Sequence, residues 1–244
     1  MPQIPSLLEL SRAAIAGVLR DFAQKKEMQP GRQGASPLPL TVVDATCGNG
    51  HDTLFMAQEL AALEKEFPFS WQMLSFDIQD MALENARARL TEAGLAASVE
   101  LIKSSHENLS RHLSGSISLF PAEFQANTPV AALAGALAKV QAGHAVTGQV
   151  AAVMFNLGYL PGGDKWLVTR PESTLPSLAG ALEALAPGGI LSVHAYGGHP
   201  GGLEEMEAVD DWFKTMPFSR GSVFSYEVCN KMANPEKLFL VEKK

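Results

Sequence analysis

Thr41-Val42-Val43-Asp44-Ala45-Thr46-Cys47-Gly48-Asn49-Gly50-His51-Asp52-Thr53 is the stretch whose reading decides the fold. A short apolar run, Leu40 to Val43, ends in Asp44. A tight turn, Thr46 to Gly50, follows, and His51-Asp52-Thr53 opens a helical pattern. Strand, glycine-rich turn and helix start is how open α/β sheets hold a nucleotide-like ligand. The glycines let backbone approach the ligand, and the new helix offers N–H groups that no helix carbonyl takes. Gly48 and Gly50 match the first two glycines of a dinucleotide fingerprint, but Thr53 stands at the third. A donor without a pyrophosphate does not need that third glycine.

Outward from this stretch the same grammar repeats. Upstream, Ile4 to Lys26 reads as an amphipathic helix, with Leu8, Ile15, Val18, Leu19 and Phe22 on one face, packing on the domain. Met28 to Pro39, with its prolines and glycines, is a loop. Downstream, the helix of the turn runs from Asp52 to Glu64. Trp71 to Phe76 is a second strand ending in Asp77, Gln79 to Glu92 a helix stopped by Gly94, and Ser98 to Ile102 a third strand. Arg111 to Gly148 is rich in Ala, Gly, Ser and Pro and lacks a strand pattern; it reads as an insertion. Gln149 to Phe155 is a fourth strand, Glu172 to Ala186 a helix, Pro187-Gly188-Gly189 a break and Ile190 to Tyr196 a fifth strand. Leu203 to Lys214 is a helix. Ser222 to Cys229 and Lys237 to Glu242 alternate as two last strands with no helix between them. The expected fold is therefore α/β: a doubly wound, Rossmann-like, mostly parallel seven-stranded sheet with a C-terminal antiparallel hairpin, the layout of class I methyltransferases. One domain spans residues 1–244, with 1–39 as N-terminal helix and loop and 111–148 as the insertion.

Composition sets bounds. The chain has 244 residues, 46% of them hydrophobic and 18% charged, enough for one large α/β core. The net charge of −7 argues against a broad basic surface for nucleic acid, though not against a local patch. Cys47 and Cys229 form no C-x-x-C pair, so neither zinc nor a disulfide framework is expected, and no His/Asp/Glu cluster has metal-ligand spacing. No basic, apolar leader opens the chain and no run approaches the roughly 18 apolar residues of a membrane span, so a cytoplasmic protein is expected.

Open α/β sheets bind ligands outside the carboxyl ends of their strands. Asp44, the glycine turn, Asp77, Ser105, Asn156 and His199 all follow strands. Asp77 suits the two hydroxyls of a ribose; otherwise it caps the helix at Gln79. Asn156-Leu157-Gly158-Tyr159 resembles the N-P-P-Y motif of amino-group methyltransferases. An Asn side-chain oxygen and a backbone carbonyl can accept an amine's two N–H groups and so aim its lone pair, while the aromatic stacks on a base. The plain alternative is a βα turn with a packing Tyr. His199, among glycines, is a candidate base or a solvent-facing loop residue. His51 and His106 follow strands one and three and serve the site or cap a turn.

Taken together, DATCGNGHDT (44–53), FDIQ (76–79), SHENL (105–109), FNLGYLPGGDK (155–165) and GGHPGGLEE (197–205) resemble the rRNA methylase family, whose members include tRNA 5-aminomethyl-(2-thio)uridine methyltransferases of the MnmM type. The resemblance covers most of Thr41 to Glu205. It implies S-adenosylmethionine as methyl donor and an aminomethyl nitrogen of a tRNA wobble uridine as acceptor. It further implies a donor site of Asp44, Thr46, Gly48, Asn49, Gly50, His51, Asp52, Thr53, Asp77, Ile78, Gln79, Ser105, His106 and Asn156. The substrate side is Leu157, Gly158, Tyr159, Lys165, Thr169 and Arg170, with Asn156, Tyr159 and His199 as catalytic candidates and no metal. The expected partner is tRNA, with no membrane and a homodimer left open. Two departures stand out: the long 111–148 segment, and an acidic chain whose cations near the cleft reduce to Lys165, Arg170 and Lys103. Rival readings are methylation of rRNA or of a small amine, a nicotinamide-dependent oxidoreductase, and a non-catalytic donor- or RNA-binding module. The missing third glycine counts against the oxidoreductase and the intact Asn156–Tyr159 run against the non-catalytic module.

Overall fold

The computed structural model describes residues 4–27, 38–113 and 149–244. Its strands are β1 (Leu40–Asp44), β2 (Trp71–Asp77), β3 (Val99–Lys103), β4 (Gln149–Leu157), β5 (Leu185–Tyr196), β6 (Gly221–Glu227) and β7 (Glu236–Lys243). Its helices are α1 (Leu7–Glu27), α2 (His51–Glu66), α3 (Asp80–Glu92), α4 (Leu109–Leu113), α5 (Pro171–Ala184) and α6 (Gly202–Thr215). The strands form one sheet in the order β3-β2-β1-β4-β5-β7-β6. The first five pair in parallel, and β7 runs antiparallel between β5 and β6. This is the class I methyltransferase arrangement expected from the strand–helix alternation.

Parallel strands covered on both faces read as continuous apolar runs, because alternate side chains enter two different cores. Val42 and Met154 point into a core with Ile15 and Leu19 of α1 and Met56 and Leu60 of α2. Their neighbours Val43 and Phe155 point the other way, into a core with Leu109 and Leu113 of α4, Leu178 and Leu182 of α5, and Phe213 of α6. The same parity sends Asn156 toward the face of α1 and α2. Chain order reverses between β1 and β4, so the crevice lies at the carboxyl ends of these two central strands.

Three differences from the sequence expectation bear on the core and the site. β4 continues through Asn156 and Leu157, since Asn156 pairs with His194 and Leu157 with Ala195 of β5. β5 starts at Leu185, within the expected helix, and Pro187-Gly188-Gly189 lies inside the strand as an irregularity. There Val150 faces Leu185 but Ala152 already faces Ile190, so the extra residues bulge out of register and Gly188 takes a left-handed φ of 81°. The expected 111–148 insertion lies outside the described residues except for 111–113, which close α4 with Leu113 fully buried in the core.

Candidate active site

The turn after β1 is built by hydrogen bonds from its own neighbourhood. Asp44 is fully buried beneath it: Oδ1 accepts from Thr46 N–H at 3.1 Å and Oδ2 from the Thr53 hydroxyl at 2.6 Å. Burial pushes its carboxyl up to about 7. Asp44 and Thr53 therefore support the turn from below and do not face the cleft. Gly50 is also structural. Its φ is 76°, and a Cβ there would lie 2.6 Å from the Ala86 Cα, so this glycine lets α2 and α3 touch. These three residues leave the expected donor-facing set. Cys47 is buried, and burial pushes its thiol up to about 12, which leaves a packing residue and no nucleophile.

Above the turn opens a cleft of about 650 Å³. Thr46, Gly48, Asn49, His51, Asp52, Asp77, Ile78, Gln79, Ser105 and His106 line it on the β1–β3 side. Asp77 Oδ2 accepts the Gly48 N–H and Oδ1 the Gln79 N–H, both at 2.9 Å. Each oxygen keeps lone pairs, so Asp77 both ties the turn to the start of α3 and can accept from a ligand. Ser105 Oγ caps the 3₁₀ turn His106–Asn108 by accepting the Glu107 N–H. This leaves His106 buried against Phe155, with its rings edge to face. Burial lowers the His106 imidazole to about 4, so it is neutral near pH 7. Among the described residues its Nε2 has no hydrogen-bond partner.

Across the cleft stand Asn156, Leu157, Gly158, Tyr159, Thr169 and His199. The Asn156 N–H donates to Thr46 Oγ1 at 2.6 Å, which joins the two sides. Its Nδ2 donates to Asp52 Oδ2 at 3.0 Å. Its Oδ1 is buried and has no partner among the described residues, and the same holds for His199 Nε2. Tyr159 and His199 meet edge to face at 5.8 Å over Gly158. The strand-end segment is pinned from behind by Glu205 of α6. Its oxygens accept the Thr169 and Thr174 hydroxyls at 2.6 Å each, and burial pushes its carboxyl up. Arg170 instead precedes α5 and lines a separate, smaller pocket, and Lys165 is exposed outside the cleft lining. Lys103 forms an ion pair with Asp80 at 2.7 Å.

Sequence reasoning missed several groups here. Leu8 of α1 lines the cleft, and Arg12 reaches Asp52. From β5 and β7, Tyr196 Oη lies 2.9 Å from His194 Nδ1 and His194 Nε2 lies 3.1 Å from Glu236 Oε2, with Tyr196 and Glu236 at the cleft wall. Period-2 alternation of Ser192, His194 and Tyr196 in an otherwise apolar strand was the available signal.

The donor expected from the sequence, S-adenosylmethionine, fits this cleft. Three residues that line it carry a buried polar atom with no partner among the described residues: His106 Nε2, Asn156 Oδ1 and His199 Nε2. Asp77 and the Gly48 turn offer hydroxyl acceptance and close backbone approach. Among the described residues no group of His, Cys, Asp and Glu could hold a metal ion.

Sheet order, crevice and turn define a class I methyltransferase. The family model described as "Putative rRNA methylase" matches residues 73–124 and 130–242, and the chain belongs to that family. A curated relative from Arabidopsis thaliana, a chloroplastic tRNA (mnm(5)s(2)U34)-methyltransferase, is 32% identical over 203 residues. That match takes in 83% of this chain and spans 63% of the relative's length. The crystal structure of a "putative rRNA-methylase" from Clostridium thermocellum is 32% identical, with a TM-score of 0.64 over 93% of this chain and 97% of that one. The crystal structure of "a putative methyltransferase" from Streptococcus mutans in complex with SAH has the same fold at 24% identity, with a TM-score of 0.66 over 99% and 100% of the two chains.

Proposed function

We propose that this chain is an S-adenosylmethionine-dependent N-methyltransferase acting on RNA, and that its acceptor is the 5-aminomethyl nitrogen of a tRNA wobble (2-thio)uridine. The observation that carries the reading is Asn156 Oδ1, buried at the cleft end of β4 and without a partner among the described residues. An unmade hydrogen bond at a buried amide oxygen costs about 1–3 kcal/mol, so such an atom is expected to have a ligand donor as its partner. An amine N–H is that donor. The curated relative's activity on a tRNA wobble position supports the finer part of the reading.

When bound, S-adenosylmethionine supplies an electrophilic methyl group on a sulfonium. The chain's own residues do the rest. Asp77 would accept ribose hydroxyls beside the Gly48 turn, and neutral His106, whose Nε2 has no partner among the described residues, would give the donor a further polar contact. Asn156 Oδ1 accepts one N–H of the acceptor amine and turns its lone pair toward the methyl group. Tyr159 and His199 wall the acceptor's side, where an aromatic face suits a nucleobase. The amine must arrive neutral, and the low-polarity walls of Phe76, Leu157 and Leu160 favour its uncharged form.

Nucleoside mass spectrometry of tRNA from cells lacking the protein tests this. The expected result is accumulation of the unmethylated 5-aminomethyl nucleoside and loss of its methylated product. An unchanged tRNA profile together with a lost rRNA methyl group would move the substrate to rRNA. Unchanged RNA of both kinds would leave a small-molecule amine.

A further inference from the structure

The N-terminal helix, which the sequence reads only as packing, reaches the reacting end of the cleft. Arg12 Nε donates to Asp52 Oδ1 at 2.8 Å, and Nη2 lies 2.7 Å from the same oxygen. The other oxygen, Oδ2, takes the Asn156 Nδ2 at 3.0 Å. We propose that Arg12 and Asp52 are positioning residues that lock the Asn156 carboxamide with its oxygen toward the cleft. This rests on the amine-acceptor reading above.

The argument is one of donors and acceptors. A carboxamide has a donor end and an acceptor end, and nothing in its shape distinguishes them. An ionised carboxylate only accepts. Asp52 therefore requires the NH₂ end of Asn156, and the oxygen is left facing the cleft. A flipped amide would set oxygen against oxygen at Asp52 and present a donor where an amine N–H must be accepted. Arg12 holds the carboxylate in the rotamer that does this. It is itself held: its guanidinium lies 5.2 Å over the Phe55 ring of α2. The preceding residue, Ser11, is bonded through its hydroxyl to the Ser192 hydroxyl of β5 at 2.7 Å, fully buried. Strand parity completes the geometry, because Asn156 and Ser192 both point to the face that α1 covers.

The test joins a structural and a kinetic readout. In ¹⁵N-labelled protein the Asn156 side-chain amide pair is identified by its loss in Asn156→Ala. The expected wild-type signal is a well-dispersed, slowly exchanging pair. Arg12→Met, which keeps the aliphatic stem, should shift it toward the values of a free amide, and Arg12→Lys should give an intermediate shift. In single-turnover methyl transfer, Arg12→Met should slow the rate roughly tenfold, with donor affinity unchanged by calorimetry. In an Asn156→Ala background the same substitution should change the rate less than about twofold, because the group it positions is gone. An amide pair unmoved by Arg12→Met overturns the proposal, as do rate losses that multiply in the double variant. If the wild-type protein transfers no methyl group to RNA, the functional reading fails, and the amide signal alone decides this proposal. Should Arg12→Met not fold, Asp52→Ala, which removes the acceptor of Nδ2, gives the same amide test.

Discussion

The two sides of the cleft are made differently. On the β1–β3 side, several polar groups have partners close in sequence, Asp44 with Thr46 and Thr53, Asp77 with Gln79 and Ser105 with Glu107, while Asp77 also takes the Gly48 N–H across the turn. On the β4–β5 side, partners come from far along the chain: Asn156 with Asp52, Thr169 with Glu205, His194 with Glu236. The first side is a turn held by the end of β2 and by α3, through Phe76, Asp77 and Ala86. The second exists only once α1, α2, α6 and β7 have docked. A half built around one turn suits a donor molecule that is always the same. A half assembled from several elements can be changed for a new acceptor without disturbing the donor.

Breaking the acceptor side should have the largest effect on turnover. Asn156→Ala removes the amine's acceptor; misaim alone costs about a hundredfold in rate, and the lost hydrogen bond roughly 1–3 kcal/mol more. Single-turnover transfer should show this with donor affinity retained, whereas a parallel loss of donor binding would erase the distinction between the sides. Gly50→Ala strikes the local turn instead. A left-handed φ and a Cβ at 2.6 Å from Ala86 Cα predict a loss of about 2–4 kcal/mol in denaturant unfolding.

The donor side carries a pH signature as well. Burial lowers the folded His106 imidazole to about 4, below its unfolded value of 6.5. Between those values the unfolded chain binds more protons, so stability falls as pH drops from 6.5 toward 4, by at most about 3 kcal/mol. Asp44, raised to about 7, works in the opposite sense: the folded state holds its proton up to that pH, so its contribution falls as pH rises from about 4 to 7. His106→Gln should therefore flatten the acid-side loss measured by melting at pH 6.5 and 4.5. An unchanged slope would mean that the ring is not the group responsible. The smallest of these effects belongs to Asp77→Ala, which removes charge-assisted hydrogen bonds to the donor. Its affinity by calorimetry should fall at least about tenfold, with the sheet intact.

The same contrast decides what could be read from the sequence. Strand, turn and helix from Leu40 to Glu66 were legible because an apolar run, two glycines and a helical pattern follow one another directly in the chain, although Asp77 and Ala86, which fix the turn, lie outside that stretch. The β7 hairpin was legible from two strands without a helix between them. Asp44, Gly50 and Thr53 sit at the positions of a ligand-binding motif, yet they build the turn, because a motif names residues without saying which face they take. The Arg12–Asp52–Asn156 chain was not legible. It links three elements across the fold, and a single Arg on an amphipathic helix looks like a solvated charge. Glu205 was hidden in the same way: its role depends on Thr169 and Thr174, which approach α6 only after β5 has threaded the sheet. Lys165 and Arg170 read as cleft cations, but Lys165 is exposed outside the lining and Arg170 lines a separate pocket, although Thr169 beside it faces the cleft.

The central claim is that the acceptor-side amide receives an amine of RNA. Its most direct test is incubation of the purified protein with methyl-labelled S-adenosylmethionine and tRNA bearing unmethylated 5-aminomethyluridines, followed by nucleoside digestion and mass spectrometry. The account predicts one labelled methyl group per modified nucleoside, located on the aminomethyl nitrogen, and its loss in Asn156→Ala. Label on a base carbon or a ribose oxygen, or equal label in Asn156→Ala, would contradict it.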